Sequence, residues 1–387
     1  MPSLIAEDIV SVQPMDRRIG QIFYLDYLYG TTKGDITSAG KMFDAKAGAA
    51  NESDYSSDTI NDESLATGDG AHTAYTSTLT YKPVIAGTLV ITDGVETFTD
   101  DGDGSLVSSI SAGNTGTIVY TTGVYSVVFQ TNVVNGVVVY GDYRFNMEED
   151  ATGIGEVDLS LTSSTVTART RKLKARWLLD AAYDLQKAHG RDAEAELLMA
   201  ITSEIKNEID QEICAELLVT ADANTTVSFD AAPTSTDVPW IWRKEKFQYV
   251  LTQAANKIFQ ATKRATGNYI IAATDVCSLI ENMNNFVRDG SVPAGKQPPA
   301  GPHKIGTLGG SFVIYKDPFY ASGRFMVGFK GDSFLNCGYV YAPYLPIFVT
   351  PTIILDDFVY RRGIATAYGK KVINNKMFVG GTVTHLT

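Results

Sequence analysis

Apolar residues recur at every fourth position in one stretch of the chain, and this spacing constrains the fold more than any other feature. The residues are Leu197, Ile201, Ile205, Ile209 and Ile213. Because an α-helix has 3.6 residues per turn, a four-residue spacing places them on a single stripe that drifts slowly around the helix. The spacing therefore predicts a long helix whose apolar face lies against a sheet.

Both ends of this helix carry sequence signals. Asp192 is a suitable N-cap, and Glu194 and Glu196 follow it where negative charge meets the positive end of the helix dipole. The apolar stripe ends near Leu218. We interpret a second series at the same spacing as the solvent-exposed face opposite the stripe: Glu204, Glu208, Glu212 and Glu216.

The segment before this helix predicts a strand and then a shorter helix. VDLSLTSSTVTART, from Val157 to Thr170, alternates as a strand does. The following RKLKARWLLDAAYDLQKAH predicts a helix that begins at Arg171, and Gly190 is expected to end it.

The chain after the long helix predicts further short elements, which indicates the α+β class. A polar connector, Ala221 to Pro239, precedes an amphipathic helix from about Lys244 to Thr266. The strands predicted after it are Tyr269–Ala273, Ser311–Lys316, Phe325–Lys330, Gly338–Tyr341 and Phe358–Tyr368.

The first third of the chain differs from the rest in charge. Met1 to Asp150 holds 21 acidic and 7 basic residues, a net charge of −14, whereas the remainder holds 23 acidic and 25 basic residues, a net charge of +2. A chain of 387 residues with a net charge of −12 repels polyanions as a whole. This balance argues against a sequence-reading nucleic-acid binder.

Three segments are distinct within the acidic third. Residues 1–40 predict an arm with too few apolar side chains to bury a face of its own, and residues 41–74 predict an extended polar segment that cannot offset its ordering entropy. Residues 75–147 predict a small antiparallel β domain of five to seven strands, because valine-rich runs alternate with turn signals such as Asp93-Gly94 and Asn135-Gly136.

The sequence contains none of the motifs that build the common catalytic, phosphate-binding or zinc sites. HExxH, GxxxxGK[ST], GxSxG and a GxGxxG after a strand are absent, and the four histidines are scattered. Cys214, Cys277 and Cys337 form no CxxC pair, so we expect a reducing compartment and neither a disulfide framework nor a zinc site. We therefore expect no enzyme activity, no cofactor and no metal.

Two further features exclude a calcium site and a membrane protein. Asp100-Asp101-Gly102-Asp103-Gly104 resembles a calcium-binding loop, but Ile110 stands where a bidentate glutamate is needed, so we interpret it as a hairpin turn. No stretch approaches the roughly 18 uninterrupted apolar residues of a membrane span. No secretion signal is readable, and we expect a soluble protein.

Five basic residues cluster where the predicted strand meets the shorter helix: Arg169, Arg171, Lys172, Lys174 and Arg176. Cations at a helix N-terminus oppose the helix dipole, so the cluster gains nothing locally. Two interpretations stay open. The cluster is either a salt-bridge patch for the acidic residues of another subunit or a solvated junction.

The long helix is also where the sequence resembles a known family. TVTARTRKLKARWLLDAAYDLQKAHGRDAEAELLMAITSEIKNEIDQEI resembles the strand and spine helix of the major capsid proteins of T-even-type tailed bacteriophages. Further stretches agree in the same order: DIVSVQPM, ATKRATGNYIIA, GTLGGSFVIYKD, VGFKG and YVYAPYLP. The resemblance fades from about Lys41 to Asp150.

The resemblance implies a tailed-phage major capsid fold that includes an inserted β domain. Its segments would be an N-terminal arm (1–40), an extended polar segment (41–74), the inserted β domain (75–147), a return strand and spine helix of a peripheral domain (148–220), an axial domain (221–350) and a closing strand of the peripheral domain (351–387). The spine would run from Arg171 to Leu218.

The resemblance also implies a structural function. Subunits of this family self-assemble into hexamers and an icosahedral shell that encloses DNA, so the expected location is the virion, after assembly in the host cytoplasm. Identical subunits would be the main partners, followed by vertex, portal and decoration proteins, and the packaged DNA would not be specifically bound. Contacts between subunits would involve the basic cluster and Gln13, Pro14 and Met15 of the arm.

Two other points follow from the resemblance. Because DIVSVQPM begins at residue 8, we expect no long leader of the kind usual in the family, and Ile5-Ala6-Glu7 resembles the site cut by the family's maturation protease, which suggests cleavage after Glu7. The alternatives with the same fold are a vertex subunit and an encapsulin-like compartment. From another class, a β-rich tail fibre or adhesin is supported only by the valine-rich segment.

Overall fold

The chain folds into two compact units in a computed structural model. The first unit comprises Met1–Leu25 and Leu161–Thr387, and the second comprises Asp26–Ser160. The structure describes residues 4–33, 36–42, 55–110, 115–149, 153–231, 240–264, 266–290, 301–332, 337–354 and 359–385.

The described residues form helices and strands throughout both units. The α-helices are α1 (Ile5–Ile9), α2 (Leu179–His189), α3 (Ala193–Asn224), α4 (Trp240–Thr262) and α5 (Thr274–Glu281). The first eleven strands are β1 (Ser11–Val12), β2 (Ile19–Tyr29), β3 (Thr59–Thr67), β4 (Ala74–Thr78), β5 (Val90–Thr92), β6 (Thr97–Asp100), β7 (Ser105–Ser108), β8 (Thr115–Val119), β9 (Val124–Val128), β10 (Val138–Arg144) and β11 (Val157–Thr167). The later strands are β12 (Arg169–Leu178), β13 (Thr226–Asp230), β14 (Tyr269–Ala273), β15 (Phe286–Arg288), β16 (His303–Leu308), β17 (Phe312–Asp317), β18 (Arg324–Gly328), β19 (Tyr339–Val349), β20 (Ile353–Ile354), β21 (Val359–Val372) and β22 (Phe378–Thr384).

The larger sheet of the first unit has seven strands in the order β13-β22-β18-β14-β17-β16-β15. All five residues of its central strand β14 are buried. Ile270 and Ala272 belong to the core that α4 and α5 complete, whereas Tyr269 and Ile271 belong to the core that α3 completes. Because helices cover both faces, this strand is apolar throughout instead of alternating.

The isoleucine spacing correctly predicts the long helix α3. Its 32 residues correspond to roughly 48 Å. The Asp192 side chain caps it by accepting a hydrogen bond from the backbone N–H of Glu194 at 3.0 Å. Ile205, Ile209 and Ile213 are buried.

The second sheet of the first unit has five strands, in the order β1-β19-β21-β12 with β20 paired to β21. β12 and β21 are antiparallel and paired from Arg169 to Leu178. Leu173 and Ile364 of this sheet pack in the same core as the isoleucines of α3. The long helix therefore packs on both sheets of the unit.

The helix predicted to begin at Arg171 is wrong in its first part. Arg169–Leu178 is strand β12, and α2 begins only at Leu179. Leu173, Ala175 and Trp177 alternate with charged residues, which is the two-residue period of a strand. Gly190 ends α2 in the left-handed conformation, as predicted.

The strands at the end of the chain also differ from the expected arrangement. β19 and β21 pair in the five-stranded sheet, whereas the final strand β22 lies between β13 and β18 in the seven-stranded sheet. β13 itself lies inside the predicted connector. The sequence FVGGTVT hides β22 because glycine weakens a strand signal. A Cβ on Gly381 would lie 2.1 Å from the Phe325 ring, so close packing requires glycine there.

The second unit is built on an eight-stranded antiparallel sheet in the order β3-β10-β5-β6-β7-β8-β9-β4. Phe98, Tyr125, Tyr143 and Phe145 are among its buried side chains. The sheet begins at Thr59 and has more strands than the expected five to seven. Part of the segment expected to be extended and polar is therefore strand, and residues 43–54 of it lie outside the described part.

β2 and β11 form a separate two-stranded sheet. The arm expected over residues 1–40 thus contains the eleven-residue strand β2, and Ala6 and Ile9 of α1 are buried. Among the described residues, none of the helices is both long enough and apolar enough to span a membrane.

Candidate subunit interface

The strand conformation of β12 divides the basic cluster between two faces. Lys172, Lys174 and Arg176 are exposed, whereas Arg171 is half-buried on the face that packs on α3. Alternate side chains of a strand point to opposite sides of the sheet, which accounts for this separation. The five residues therefore do not form one patch: Arg171 packs within the subunit, whereas Lys172, Lys174 and Arg176 face solvent.

Arg171 forms ion pairs inside the subunit, with two glutamates of α3. Its Nη1 lies 2.8 Å from Glu208 Oε2, and its Nη2 lies 2.5 Å from Glu212 Oε2. Its Nε donates a hydrogen bond to the Tyr368 hydroxyl at 2.8 Å. Arg171 is thus part of the contact between β12, β21 and α3.

Lys370 extends this network along α3. Its Nζ lies 2.9 Å from Glu212 Oε1 and 2.5 Å from Glu216 Oε2. The Tyr339 hydroxyl donates to Glu216 Oε2 at 2.7 Å, and the Tyr368 hydroxyl donates to Glu212. We name the set formed by Arg171, Glu208, Glu212, Glu216, Tyr339, Tyr368 and Lys370 the α3 ion network.

The α3 ion network changes the ionisation of its members. Burial opposes ionisation of Glu212, but hydrogen bonds from Tyr368, Lys370 and Arg171 outweigh it and lower the pKa of Glu212 to about 2. Burial also opposes the charge on Arg171, yet its hydrogen bond to Glu212 and its other contacts raise the pKa of Arg171 above the ordinary value. Both groups are therefore charged at neutral pH.

The interpretation of the glutamate series as a solvent-exposed face is wrong for three of its four members. Only Glu204 is exposed, while Glu208, Glu212 and Glu216 face the five-stranded sheet. The missed partners, Lys370 and the two tyrosines, lie far from α3 in sequence. No local pattern could reveal them.

A polar cleft of about 710 Å³ adjoins this network in the first unit. Arg169 lines it together with Arg171, Glu212 and Lys370. Arg169 is exposed and makes no ion pair within the part of the chain that the structure describes. The structure thus leaves Arg169 and the three exposed bases of β12 available for contacts outside the subunit.

The exposed bases of β12 share their side of the sheet with apolar side chains. Lys172 pairs with Ala365, which pairs on its other side with Phe348 of β19. Residues directly opposite in antiparallel strands point to the same face. Phe348 is 53% exposed, and Leu345 of the same strand is 38% exposed. We name the surface of Lys172, Lys174, Arg176, Leu345 and Phe348 the cationic face.

Of the three arm residues predicted to contact other subunits, Gln13 and Met15 make contacts within their own subunit. The Gln13 side chain accepts from and donates to the backbone of Phe23 at 3.3 and 3.2 Å. Met15 is buried beside Ile22 and Val166, and its N–H donates to the carbonyl of Pro343 at 2.9 Å. Only Pro14 is exposed.

The expected cleavage position after Glu7 lies inside helix α1. The Glu7 carbonyl accepts a hydrogen bond from Lys330 Nζ at 2.5 Å, and the Ala6 N–H donates to Asp210 Oδ1 of α3 at 3.2 Å. Burial raises the pKa of Asp210 to about 6, although the backbone N–H groups of Ala6 and Ile5 favour its charged form. A protease would reach this bond only after α1 leaves α3.

The ribbon formed by β2 and β11 exposes large apolar side chains. Val157, Leu159 and Leu161 alternate along β11 and are 51%, 66% and 60% exposed. Ile19 and Phe23 of β2 are exposed as well. Ile22 and Val166 hold one end of this ribbon in the core around Met15, whereas these exposed apolar side chains form a surface suited to contact with another subunit.

In the acidic turn that resembles a calcium loop, the Asp101 carboxylate accepts hydrogen bonds from backbone N–H groups of the turn itself. Asp101 Oδ1 accepts from the N–H of Asp103 at 3.0 Å and from that of Ser105 at 3.3 Å. Asp100 Oδ1 accepts from the Tyr120 hydroxyl at 2.7 Å. In the residues the structure describes, no group of three or more His, Cys, Asp or Glu side chains could hold a metal ion. The geometry is that of a hairpin turn.

Comparison with known proteins decides the family. The family model described as major capsid protein Gp23 matches residues 1–386. The chain belongs to this family. The major capsid protein of Vibrio phage KVP40 is 28% identical, over 96% of this chain and 74% of that protein. That of Enterobacteria phage T4 is 25% identical, over 95% of this chain and 72% of that protein. The capsid of Myoviridae phage XM1 is a similar solved structure, with 11% identity, a TM-score of 0.39 and coverage of 82% of this chain and 88% of that one.

Family membership confirms the resemblance and the function that it implies. The chain is a structural protein of a phage head shell, and the shell consists of many identical subunits. Its fold is the α+β fold of tailed-phage major capsid proteins. The adhesin interpretation had only the valine-rich segment in its favour, and the family match over nearly the whole chain decides against it.

Proposed function

We propose that the chain assembles into hexamers, and that the hexamers close into an icosahedral head shell around the phage DNA. The exposed ribbon carries this proposal, because a run of large exposed apolar side chains marks a surface for contact with another protein surface. Repeated contacts of one kind between identical subunits close into rings when the rotation permits. The ribbon and the cationic face together supply two unlike surfaces for such a contact.

The ribbon and the cationic face match in chemistry. Asp158 of β11 and Glu156 just before it are exposed on one side of the strand, whereas Val157 and Leu159 alternate with them and are exposed on the other side. The cationic face offers bases beside exposed Phe348 and Leu345. The acidic side of the ribbon is therefore the side that can form salt bridges with these bases, which would select the partner and fix the register of the contact. We therefore propose that the ribbon of one subunit binds the cationic face of the next.

Charge reversal on the cationic face tests this contact. Replacing Lys172 and Lys174 by Glu should abolish hexamers and shells in negative-stain micrographs at low salt, because like charges then face each other. Adding Glu156→Lys and Asp158→Lys should restore assembly. If the double reversal leaves assembly unchanged, the proposed contact is wrong.

A matched control separates this effect from net charge. Lys246 and Arg288 are exposed bases outside the cationic face, and replacing both by Glu changes the net charge equally. These particles should look like the wild type. The wild-type chain itself has to form shells, tubes or hexamer sheets, and monodisperse monomers or trimers would contradict the self-assembly.

The remaining parts of the proposal concern DNA and other proteins. A net charge of −12 disfavours adhesion to packaged DNA, so we propose enclosure without specific binding. Vertex, portal and decoration proteins are the further partners, and assembly takes place in the host cytoplasm. Cleavage after Glu7 stays a proposal that the N-terminal mass of the subunit in mature particles tests. The proposal involves no catalytic step.

A further inference from the structure

Half of the eight-stranded sheet carries no charge. Strands β7, β8, β9 and β4 read SLVS, TGTIV, VYSVV and AYTST, with no Asp, Glu, Lys or Arg. They lie next to one another in the sheet. This absence is unexpected within a stretch of 150 residues whose net charge is −14. Asp69, Asp93 and Asp101 lie outside these strands, Glu96 accepts a hydrogen bond from the Ser108 hydroxyl of β7, and Glu63 of β3 accepts one from the Thr80 N–H beyond the end of β4.

The outward side chains of these strands form three rows across the sheet. One row contains Val119 opposite Val124, and Val124 opposite Thr78. The middle row consists of hydroxyl groups, from Ser105 to Thr117, Ser126 and Thr76. The third row pairs Val107 with Thr115 and Val128 with Ala74. We name this surface the neutral face.

The neutral face exposes several valine side chains. Val107, Val119 and Val128 are 52%, 51% and 43% exposed. Inward residues of the same strands, such as Leu106 and Val127, are buried in the core of the second unit. The outward valines therefore add nothing to that core, and contact with a further surface is what would remove them from water.

The order of the rows makes the neutral face self-complementary. Two valine-containing rows flank a hydroxyl row, so the sequence of rows, valine, hydroxyl and valine, is the same from either side of the sheet. A two-fold axis along the hydroxyl row places the Val119 row of one copy against the Val107 row of another. The same axis places Thr117 opposite Thr117. A two-fold contact requires one surface to match itself in this way.

The absence of charge on the neutral face permits contact with a second copy of this acidic unit. Two copies of a strongly acidic unit repel each other wherever carboxylates would meet, and the neutral face removes that repulsion. The outermost strand β4 reads AYTST, without the Lys, Pro or charge that usually protects a sheet edge. An edge strand without these protections is open to contact with another chain.

We infer that the neutral face is a two-fold contact between the β units of two subunits in the shell. The inference rests on the proposed self-assembly and names a second contact, separate from that of the ribbon and the cationic face. Burial of the valine rows stabilises it, and the hydroxyl row fixes its register.

Cysteine cross-linking of the assembled full-length chain tests the inference. Thr117→Cys places a thiol beside the axis, so a short bismaleimide should join two copies into a covalent dimer on a denaturing gel. Val95→Cys is the control, because Val95 is 72% exposed in a turn outside the neutral face. The natural cysteines at positions 214, 277 and 337 are buried, which keeps the background low. We expect at least a tenfold higher dimer yield for Thr117→Cys than for Val95→Cys.

Further variants and the micrographs of the same samples complete the test. Adding Val119→Lys and Val128→Lys to Thr117→Cys should remove the cross-link, with an unchanged melting temperature showing that the unit still folds. Assembled particles without a Thr117 cross-link, or a cross-link to a different protein, overturn the inference but not the proposed shell. Cross-linked dimers in samples that never form hexamers or shells support this contact and overturn the proposed shell.

Discussion

Replacing Glu212 by Gln tests whether the α3 ion network holds the five-stranded sheet on the helix. The Glu212 carboxylate contacts Arg171, Lys370 and Tyr368, and its pKa falls from 4.5 to about 2. At about 1.4 kcal/mol per pKa unit, this shift corresponds to roughly 3 kcal/mol of stabilisation at neutral pH. About a third of the side chain is exposed, so solvent screening reduces the expected loss in the variant to about 1–2 kcal/mol.

The pH dependence gives this prediction its sign. A carboxylate whose pKa is lower in the folded state stabilises the fold above its unfolded pKa of 4.5, and this stabilisation is lost as the pH falls towards 2. The wild type should therefore be more stable than Glu212→Gln at pH 7. The difference in the free energy of unfolding should shrink steadily below pH 4.5.

Tryptophan fluorescence during urea unfolding measures this difference in the relevant unit. All three tryptophans lie in the first unit, and Trp177 stacks on Tyr360 at 5.7 Å in the five-stranded sheet. Glu204→Gln is the matched control, since Glu204 is an exposed glutamate two turns earlier on α3. If the control loses as much stability, or if the gap for Glu212→Gln is the same at pH 7 and pH 3, the network does not stabilise the sheet as argued.

Three further predictions concern the interior of the first unit. Asp210 has its pKa raised to about 6 by burial, so its contribution to stability is complete below pH 3.8 and lost as the pH rises through 6. Asp210→Asn should therefore slow hydrogen exchange in residues 4–10 at pH 8 and leave it unchanged at pH 4. Ile209→Ala should destabilise the unit by about 2–5 kcal/mol in urea unfolding, whereas Met199→Ala on the exposed side of α3 should cost less than about 0.5 kcal/mol. Burial raises the pKa of Cys337 to about 11 and raises those of the other two thiols, so all three should react with a thiol reagent only after unfolding, and rapid labelling of the native chain would contradict their burial.

The sequence predicts the elements whose signal is local. The isoleucine spacing and the Asp192 cap locate α3, and the fully apolar YIIAA run marks β14 as a strand buried on both faces. The same reasoning failed at Arg171, where good helix-forming residues hid a two-residue alternation that the structure follows. β12 pairs along its whole length with β21, and this tertiary pairing overrides the helix propensity of the segment.

The sequence predicts the candidate interface only in part, because the residues that form it depend on the direction in which each side chain points. Read on a helix, the five bases form one cluster. On a strand, Arg169 and Arg171 lie on the side of α3, and Lys172, Lys174 and Arg176 lie on the opposite side. The glutamates of α3 show the same limit, since Glu208, Glu212 and Glu216 find partners more than 35 residues away in sequence. Spacing indicates which residues share a face, but only the packing of the sheets shows what that face meets.

The uneven distribution of charge connects the two proposed contacts. A strongly acidic segment binds readily to a basic surface, so contact between unlike parts of neighbouring subunits can be selected by charge, as at the cationic face. Two copies of the same acidic unit repel each other, so a contact between them requires an uncharged surface such as the neutral face. The two contacts should therefore respond differently to salt. Raising the ionic strength should weaken the contact at the cationic face and leave the contact at the neutral face intact. Cross-linking at Thr117 should therefore persist at salt concentrations at which hexamers dissociate. If both contacts are lost together as salt rises, the neutral face is not the uncharged contact described here.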